Sequence, residues 1–287
     1  MKEQKYILKN QDSFELKDIF ECGQCFRWNK QQDGSYTGVF KGNVLNVKKE
    51  NEVINFSGLI EGDIKEVVTD YFDLNRDYTK IKDKLSKIDI YLEESIKYGS
   101  GIRLLNQDLW ETIISFIISA NNNIPRIKGI IERISAKYGN KIEWKGNFFY
   151  TFPTPKQLES VTAQDFRNLG LGFRDIRLYE TTHTILNNQL DLEKIHNDDT
   201  ITAREKLLSL SGVGPKVADC ILLFSTLKRF DVFPIDVWVR RVMNELYIKN
   251  EDENKVNKKE IMKLAKEKFG NLEGLAQQYL FYWKREA

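Results

Sequence analysis

The chain has 287 residues, 41% hydrophobic and 30% charged, with a formal net charge of +2. That length allows one large domain or two ordinary ones, and the balance is that of a globular protein rather than a disordered tail. No apolar run approaches the ~20 residues of a membrane helix, the start MKEQKYILKN is too polar for a signal peptide, and three cysteines are too few for a disulfide framework. A cytoplasmic protein is expected.

The first part reads as β. KYILKN, CFRWNK, SYTGVF, VLNVKK and VINFSG are rich in strand-forming residues. Turn sequences at Asp33-Gly34, Lys41-Gly42-Asn43 and Glu50-Asn51-Glu52 separate them, which predicts an antiparallel sheet. Helices are expected at 63–73 and at about 79–98. From about residue 101 the apolar period becomes helical. NQDLWETIISFIISANNN and NIPRIKGIIERISAKYG are amphipathic, and the second stops at Gly139. The aromatic stretch 140–153 fits a loop or a small hairpin. Further helices are expected at 163–169, 173–188, 201–210, 215–227, 236–248, 257–269 and 273–284. The class is therefore α+β: an N-terminal antiparallel sheet domain over 1–100, then a predominantly helical domain over 101–287. The first domain leans acidic and the second basic. A local basic cluster suffices to hold phosphate, although a mixed solvated surface explains this charge equally well.

The chemistry concentrates in 203–240. Two helices are joined by Ser211-Gly212-Val213-Gly214, and the hairpin spans about 203–226. Pro215 suits the first position of the second helix, because its missing N–H is not needed there. The glycines permit a sharp turn and close backbone approach, and outward N–H groups at a helix start can seat a phosphate. Lys216 falls in the first turn of that helix. The helix dipole and apolar neighbours are both expected to lower its pKa, which favours a nucleophilic amine. Downstream, Phe233-Pro234-Ile235-Asp236 places a carboxylate before another helix, where Asp is also a good N-cap. On the residues alone, a Lys216 that binds phosphate and an Asp236 that only caps its helix fit the sequence equally well.

LSGVGPKVADC…FPIDVWV resembles the helix-hairpin-helix–Gly/Pro–Asp motif of base-excision DNA glycosylases, and the Lys/Asp pair is similar to their bifunctional members. The more specific resemblance is to the 8-oxoguanine DNA glycosylase/AP lyase family. It rests on KVADC at 216–220, CGQCFRW at 22–28, FIISANNNIPRI at 116–127 and LGLGFR at 169–174, in the family's order across most of the chain.

The resemblance implies excision of 8-oxoguanine from double-stranded DNA by base flipping, with Lys216 attacking C1′, a Schiff base and β-elimination, and no metal or other cofactor. Asp236 would stabilise the developing charge. Gly23 would read the N7–H of the lesion with its carbonyl. Cys220, at i+4 from Lys216, and Phe281 would flank the base, and Gln277 would bond its Watson–Crick edge. Asn121 would fill the gap, Arg126 and Arg174 would hold the orphan cytosine, and Phe173 would wedge at the kink. Gly212, Val213 and Gly214 would hold a DNA phosphate. A monomer is implied.

Two positions depart from the pattern. Trp238 stands where animal members commonly carry His, which puts one phosphate contact in doubt, and Phe173 lacks the hydroxyl of the usual Tyr. Three other readings compete. The first is a glycosylase for another damaged purine. The second is a non-catalytic hairpin DNA-binding protein. The third is a redox site at Cys22-Gly23-Gln24-Cys25, which needs a motif that opens a helix. His183 and His196 do not join the cysteines in any zinc-like spacing. The Lys-, Ile- and Asn-rich composition looks bacterial.

Overall fold

The computed structural model describes residues 1–252 and 255–286. Strands β1 (Lys2–Lys9), β2 (Trp28–Lys30), β3 (Tyr36–Phe40), β4 (Asn43–Glu50) and β5 (Val53–Ile60) form one five-stranded sheet in the order β1-β5-β4-β3-β2. Every pairing in it is antiparallel. The expected turns join these strands, with Gly34 and Gly42 at φ of 80° and 78°. Alternation sets the register, since every second residue of β5 is buried, among them Ile54, Phe56 and Ile60. Helices α1 (Leu16–Glu21) and α2 (Ile64–Tyr71) cover this face. Its core is aromatic, with Phe20 stacked on Trp28 at 4.2 Å. Gly38 must be glycine here, because a Cβ would lie 2.4 Å from the Trp28 ring. Helix α1 is too short to show a period, and the sequence did not announce it.

The helix expected over 79–98 is two helices, α3 (Tyr78–Ser86) and α4 (Ile90–Tyr98). Asp89 breaks them apart: its backbone is extended at φ −165°, and its side chain accepts the Leu92 N–H as an N-cap. Both helices pack into the larger helical core rather than the sheet's core. That core is built by α5 (Leu109–Ser119), α6 (Ile124–Tyr138), α7 (Ala163–Phe166), α8 (Asp175–Leu186), α9 (Thr200–Leu208), α10 (Pro215–Phe224), α11 (Val237–Met243), α12 (Lys258–Phe269) and α13 (Glu273–Glu286). Residues 141–150 form the small hairpin, β6 (Lys141–Trp144) and β7 (Asn147–Tyr150). The helix end expected near 169 instead widens into a π turn (Arg167–Leu171) and a 3-10 turn (Gly172–Arg174), with Gly170 and Gly172 at φ of 91° and 59°. The buried carboxylate of Asp18 joins the two parts, accepting from Tyr282 of α13 at 3.2 Å and from the Gly101 N–H at 2.9 Å. No helix among the described residues is long and apolar enough to cross a membrane.

Candidate active site

The hairpin closes as its glycines require. Gly212 sits at φ 81°, and a Cβ there would meet the Arg177 side chain at 2.7 Å. Gly214 caps α10 without a side chain, and Pro215 follows. Val213 donates its N–H to Leu210 O at 3.1 Å. The N–H groups of Gly212 and Gly214 take no acceptor among the described residues, so they are the hairpin's available donors.

Lys216 is half-buried in the first turn of α10, with Nζ 5.5 Å from the centre of the Phe116 ring. Asp236 is the N-cap of α11 and accepts the Val239 N–H at 2.8 Å. Amine and carboxylate line one cavity with Gly23, Cys220, Gln277 and Phe281. The expectation of a lowered lysine pKa is overturned. Burial does push it down, but the Cys220 thiol and the Asp236 carboxylate outweigh that and hold it above the ordinary lysine value. The sequence reading named both neighbours, one a helical turn further on and one on a different helix, but left their effect out of the lysine's balance. Lys216 therefore rests as an ammonium. Burial pushes the Cys220 thiol up to about 11, against the pull of Lys216.

The walls of this cavity have acceptors to spare. The Gln277 Oε1 is buried and has no hydrogen-bond partner among the described residues. Gly23 has φ 89°, and an added Cβ would lie 3.1 Å from Arg285 Nη1 and 3.7 Å from Phe281. Arg285 in turn lies over the Phe281 ring, 5.3 Å from its centre. The cavity measures about 60 Å³, far below the ~300 Å³ of a small ligand pocket, so its lining must move before a base enters. A larger cavity of about 410 Å³ is lined by Arg204, Asp219, Phe233, Lys266 and Glu273. Two of its carboxylates are already answered, Asp219 by Arg204 at 2.6 Å and Glu273 by Lys266 at 3.6 Å, and among the described residues it holds no lysine–aspartate pair of the kind in the smaller cavity, so size alone does not mark the site.

A second group of residues forms a cationic rim. Asn121 is exposed just beyond α5 with φ 51°, a left-handed conformation that Asn tolerates better than most residues. Asn123 is the N-cap of α6, accepting the Arg126 N–H at 3.0 Å. The exposed Arg126 donates to Gly170 O at 3.2 Å. Phe173 is 54% exposed, with Arg174 and Arg177 stacked against it at 4.2 and 5.1 Å. Arg174 itself is buried. Its guanidinium donates to the carbonyls of Ala120, Asn121 (2.7 Å) and Leu171 (3.3 Å), so it braces Asn121 from below and has no free fork at the surface. Burial, with Arg126 and Arg177 nearby, lowers its pKa, a sign of positive charge crowded where an anion would relieve it.

Sequence reading missed Arg177 and Arg285. Arg177 was findable, since it lies one helical turn beyond Arg174. Arg285 had no signal, because it reaches Gly23 only through the tertiary fold. The redox reading of Cys22 and Cys25 does not survive. Both thiols are buried and unpaired, the motif follows α1 rather than opening a helix, and burial pushes Cys22 up to about 12. Trp238 is half exposed beside Asp236.

Comparison with known proteins agrees with this geometry. Residues 6–113 match the family model described as 8-oxoguanine DNA glycosylase, N-terminal domain, and residues 114–270 match the HhH-GPD superfamily base excision DNA repair protein. A probable N-glycosylase/DNA lyase of Methanothermobacter thermautotrophicus is 34% identical, over 75% of this chain and 72% of that protein. The apo 8-oxoguanine glycosylase/lyase of Clostridium acetobutylicum superposes with a TM-score of 0.92 at 45% identity, covering 98% of both chains. The same enzyme with double-stranded DNA containing cytosine opposite 8-oxoguanine gives 0.93 at 45% identity, over 99% of this chain and 97% of that one. The chain belongs to the HhH-GPD superfamily of base-excision DNA repair proteins, within its 8-oxoguanine DNA glycosylase/lyase family.

Proposed function

We propose that this chain is a bifunctional glycosylase/AP lyase that flips 8-oxoguanine out of duplex DNA and removes it, with Lys216 as nucleophile and Asp236 as its carboxylate partner. The observation that carries the reading is one cavity holding an amine, a carboxylate and the acceptors of Gly23 and Gln277 that lack protein donors. 8-Oxoguanine supplies the matching donors: N7–H toward Gly23, and the N–H groups of its Watson–Crick edge toward Gln277. Guanine has a lone pair at N7, so its entry would set acceptor against acceptor, a buried mismatch worth ~1–3 kcal/mol. Cys220 and Phe281 would sandwich the base.

Lys216 first gives up its proton, for which Asp236 is the nearby acceptor. The amine then bonds to C1′ as the C1′–N9 bond breaks and its electron pair leaves with the base. The proton passes from Asp236 to the departing base, and the restored carboxylate stabilises the cationic sugar as it forms. Opening of the sugar ring at O4′ gives the protonated Schiff base. Loss of a C2′ proton expels the 3′ phosphate, and hydrolysis frees Lys216. Asn121 would occupy the gap and Phe173 would stack at the kink. Arg126 and Arg174 would hold the orphan cytosine, Arg174 after exchanging its carbonyl partners. Gly212 and Gly214, with Val213 between them, would seat a phosphate. We read the chain as a cytoplasmic monomer of two units, 1–100 and 101–287, with α3 and α4 of the first packed into the core of the second.

Incision of duplexes carrying 8-oxoguanine opposite each normal base, with and without later alkali, tests the reading. Incision should be fastest opposite cytosine and partly independent of alkali. Absence of incision on every duplex refutes the reading, and equal rates opposite all four bases refute the roles of the arginines.

A further inference from the structure

Side chains take the carbonyls around Gly23 one after another. Ile19 O accepts Nε2 of Gln24 at 2.8 Å, and Phe20 O accepts the Cys25 thiol at 3.8 Å. Glu21 O accepts Arg285 Nη2. Cys22 O accepts Nε2 of Gln278 at 2.7 Å, and Gln24 O accepts Nε2 of Gln107 at 2.7 Å. Gly23 is the exception: among the described residues its carbonyl accepts nothing, and Gly23 is one of the residues that line the lysine cavity.

The two amides arrive from different elements. Gln278 stands on α13 and is 1% exposed. Gln107 precedes α5, and its Nε2 also reaches Phe224 O at 2.9 Å, the last residue of α10. Its own carbonyl accepts the Thr226 N–H at 2.8 Å. Gln107 thus ties the Gly23 loop to the helix that carries Lys216. The Gln24 side chain is fixed as well, donating to Arg103 O at 2.7 Å and accepting from Leu105 N at 2.9 Å. Because each peptide unit is planar, holding the carbonyls of residues 22 and 24 holds the peptide planes on both sides of the one between them. A glycine left unheld would rotate that middle plane freely.

We propose that Gln107 and Gln278 are positioning residues for lesion selectivity, holding the Gly23 oxygen open to the cavity by anchoring the carbonyls on either side of it. The inference rests on reading the cavity as the 8-oxoguanine site. Neither glutamine is required to touch DNA. Gln278 also lines the cavity and Gln107 does not; both act through the backbone, and their loss lets the carbonyl turn away from an N7–H donor.

The test compares wild type with Gln107→Met, Gln278→Met and the double variant, which keep length and remove the donor. Gln278→Asn, which keeps the amide but draws it back by one methylene, is the milder companion should a Met variant fold poorly. Two quantities are read: the preference for 8-oxoguanine over guanine opposite cytosine, as a ratio of dissociation constants, and lyase cleavage of a preformed abasic site, where no base is present to be read. Each single variant should lose about tenfold in the preference, the worth of roughly one hydrogen bond, with abasic-site cleavage within about threefold of wild type. Preference and cleavage falling together would show plain structural bracing and overturn the inference. So would a preference that persists in the double variant. A wild-type chain with no preference for 8-oxoguanine would sink the reading of the cavity as well.

Discussion

The lysine cavity and the arginine rim solve different problems with different materials. In the cavity, the working groups sit at helix starts or against packed side chains: Lys216 in the first turn of α10, Asp236 capping α11, Gly23 against the half-buried Arg285 and Phe281. On the rim, Asn121, Arg126 and Phe173 are exposed on loops and helix starts strapped by guanidinium-to-carbonyl bonds. The cavity is preorganised for one reaction geometry, where small displacements are costly. The rim meets a long, deformable polyanion, where charge and adaptable contacts count for more. Damage to the cavity should therefore change chemistry and selectivity at constant DNA affinity, and damage to the rim should do the reverse.

The largest effect should come from Lys216→Gln, which removes the nucleophile. Excision and abasic-site cleavage should both fall by at least about 10³-fold, with binding to undamaged duplex unchanged in a filter or anisotropy assay. Asp236→Asn comes next, at roughly 10²–10³-fold in the single-turnover excision rate. Asn keeps the helix cap, so the thermal midpoint should hold. This variant also carries a pH signature. The Cys220 thiol and the Asp236 charge hold the Lys216 pKa up, so the neutral amine, and with it the wild-type rate, should climb about tenfold per pH unit from neutral toward alkaline. Removing the carboxylate lowers that pKa and should move the climb to lower pH. A climb that stays in place would separate Asp236 from the amine.

Gly23→Ala should cost roughly tenfold to a hundredfold in 8-oxoguanine excision. A side chain at φ 89° is strained by ~1–2 kcal/mol, and its Cβ would crowd Arg285. Cleavage of an abasic site should suffer less. On the rim, Arg126→Ala should flatten the cytosine preference by about tenfold and reduce the slope of log affinity against log salt by about one. The cavity variants should leave that slope alone. Phe173→Ala should have the smallest effect, a several-fold loss of affinity for lesion duplex.

How much of this was legible in the sequence follows the same division. The strands, the hairpin turn, Lys216, Asp236 and Cys220 lie in local patterns of alternation, glycine spacing and helical offset, and the structure gathers them as those patterns imply. What was not legible depends on contacts across the fold. The break at Asp89 was hidden because the apolar pattern runs through it and only its cap geometry stops the helix. The direction of the Lys216 pKa was misjudged because dipole and burial alone were weighed, whereas Cys220 one turn on and Asp236 from the next helix oppose them once the fold brings the carboxylate into the cavity. Arg174, expected from the resemblance to hold the orphan cytosine, proves to be a buried brace under Asn121.

The most direct test of the central claim is borohydride trapping on an 8-oxoguanine:cytosine duplex, followed by mapping of the residue that carries the sugar. The account predicts a covalent protein–DNA adduct on Lys216 that disappears in Lys216→Gln. An adduct of undiminished yield in that variant, or one mapped to another amine, would contradict it.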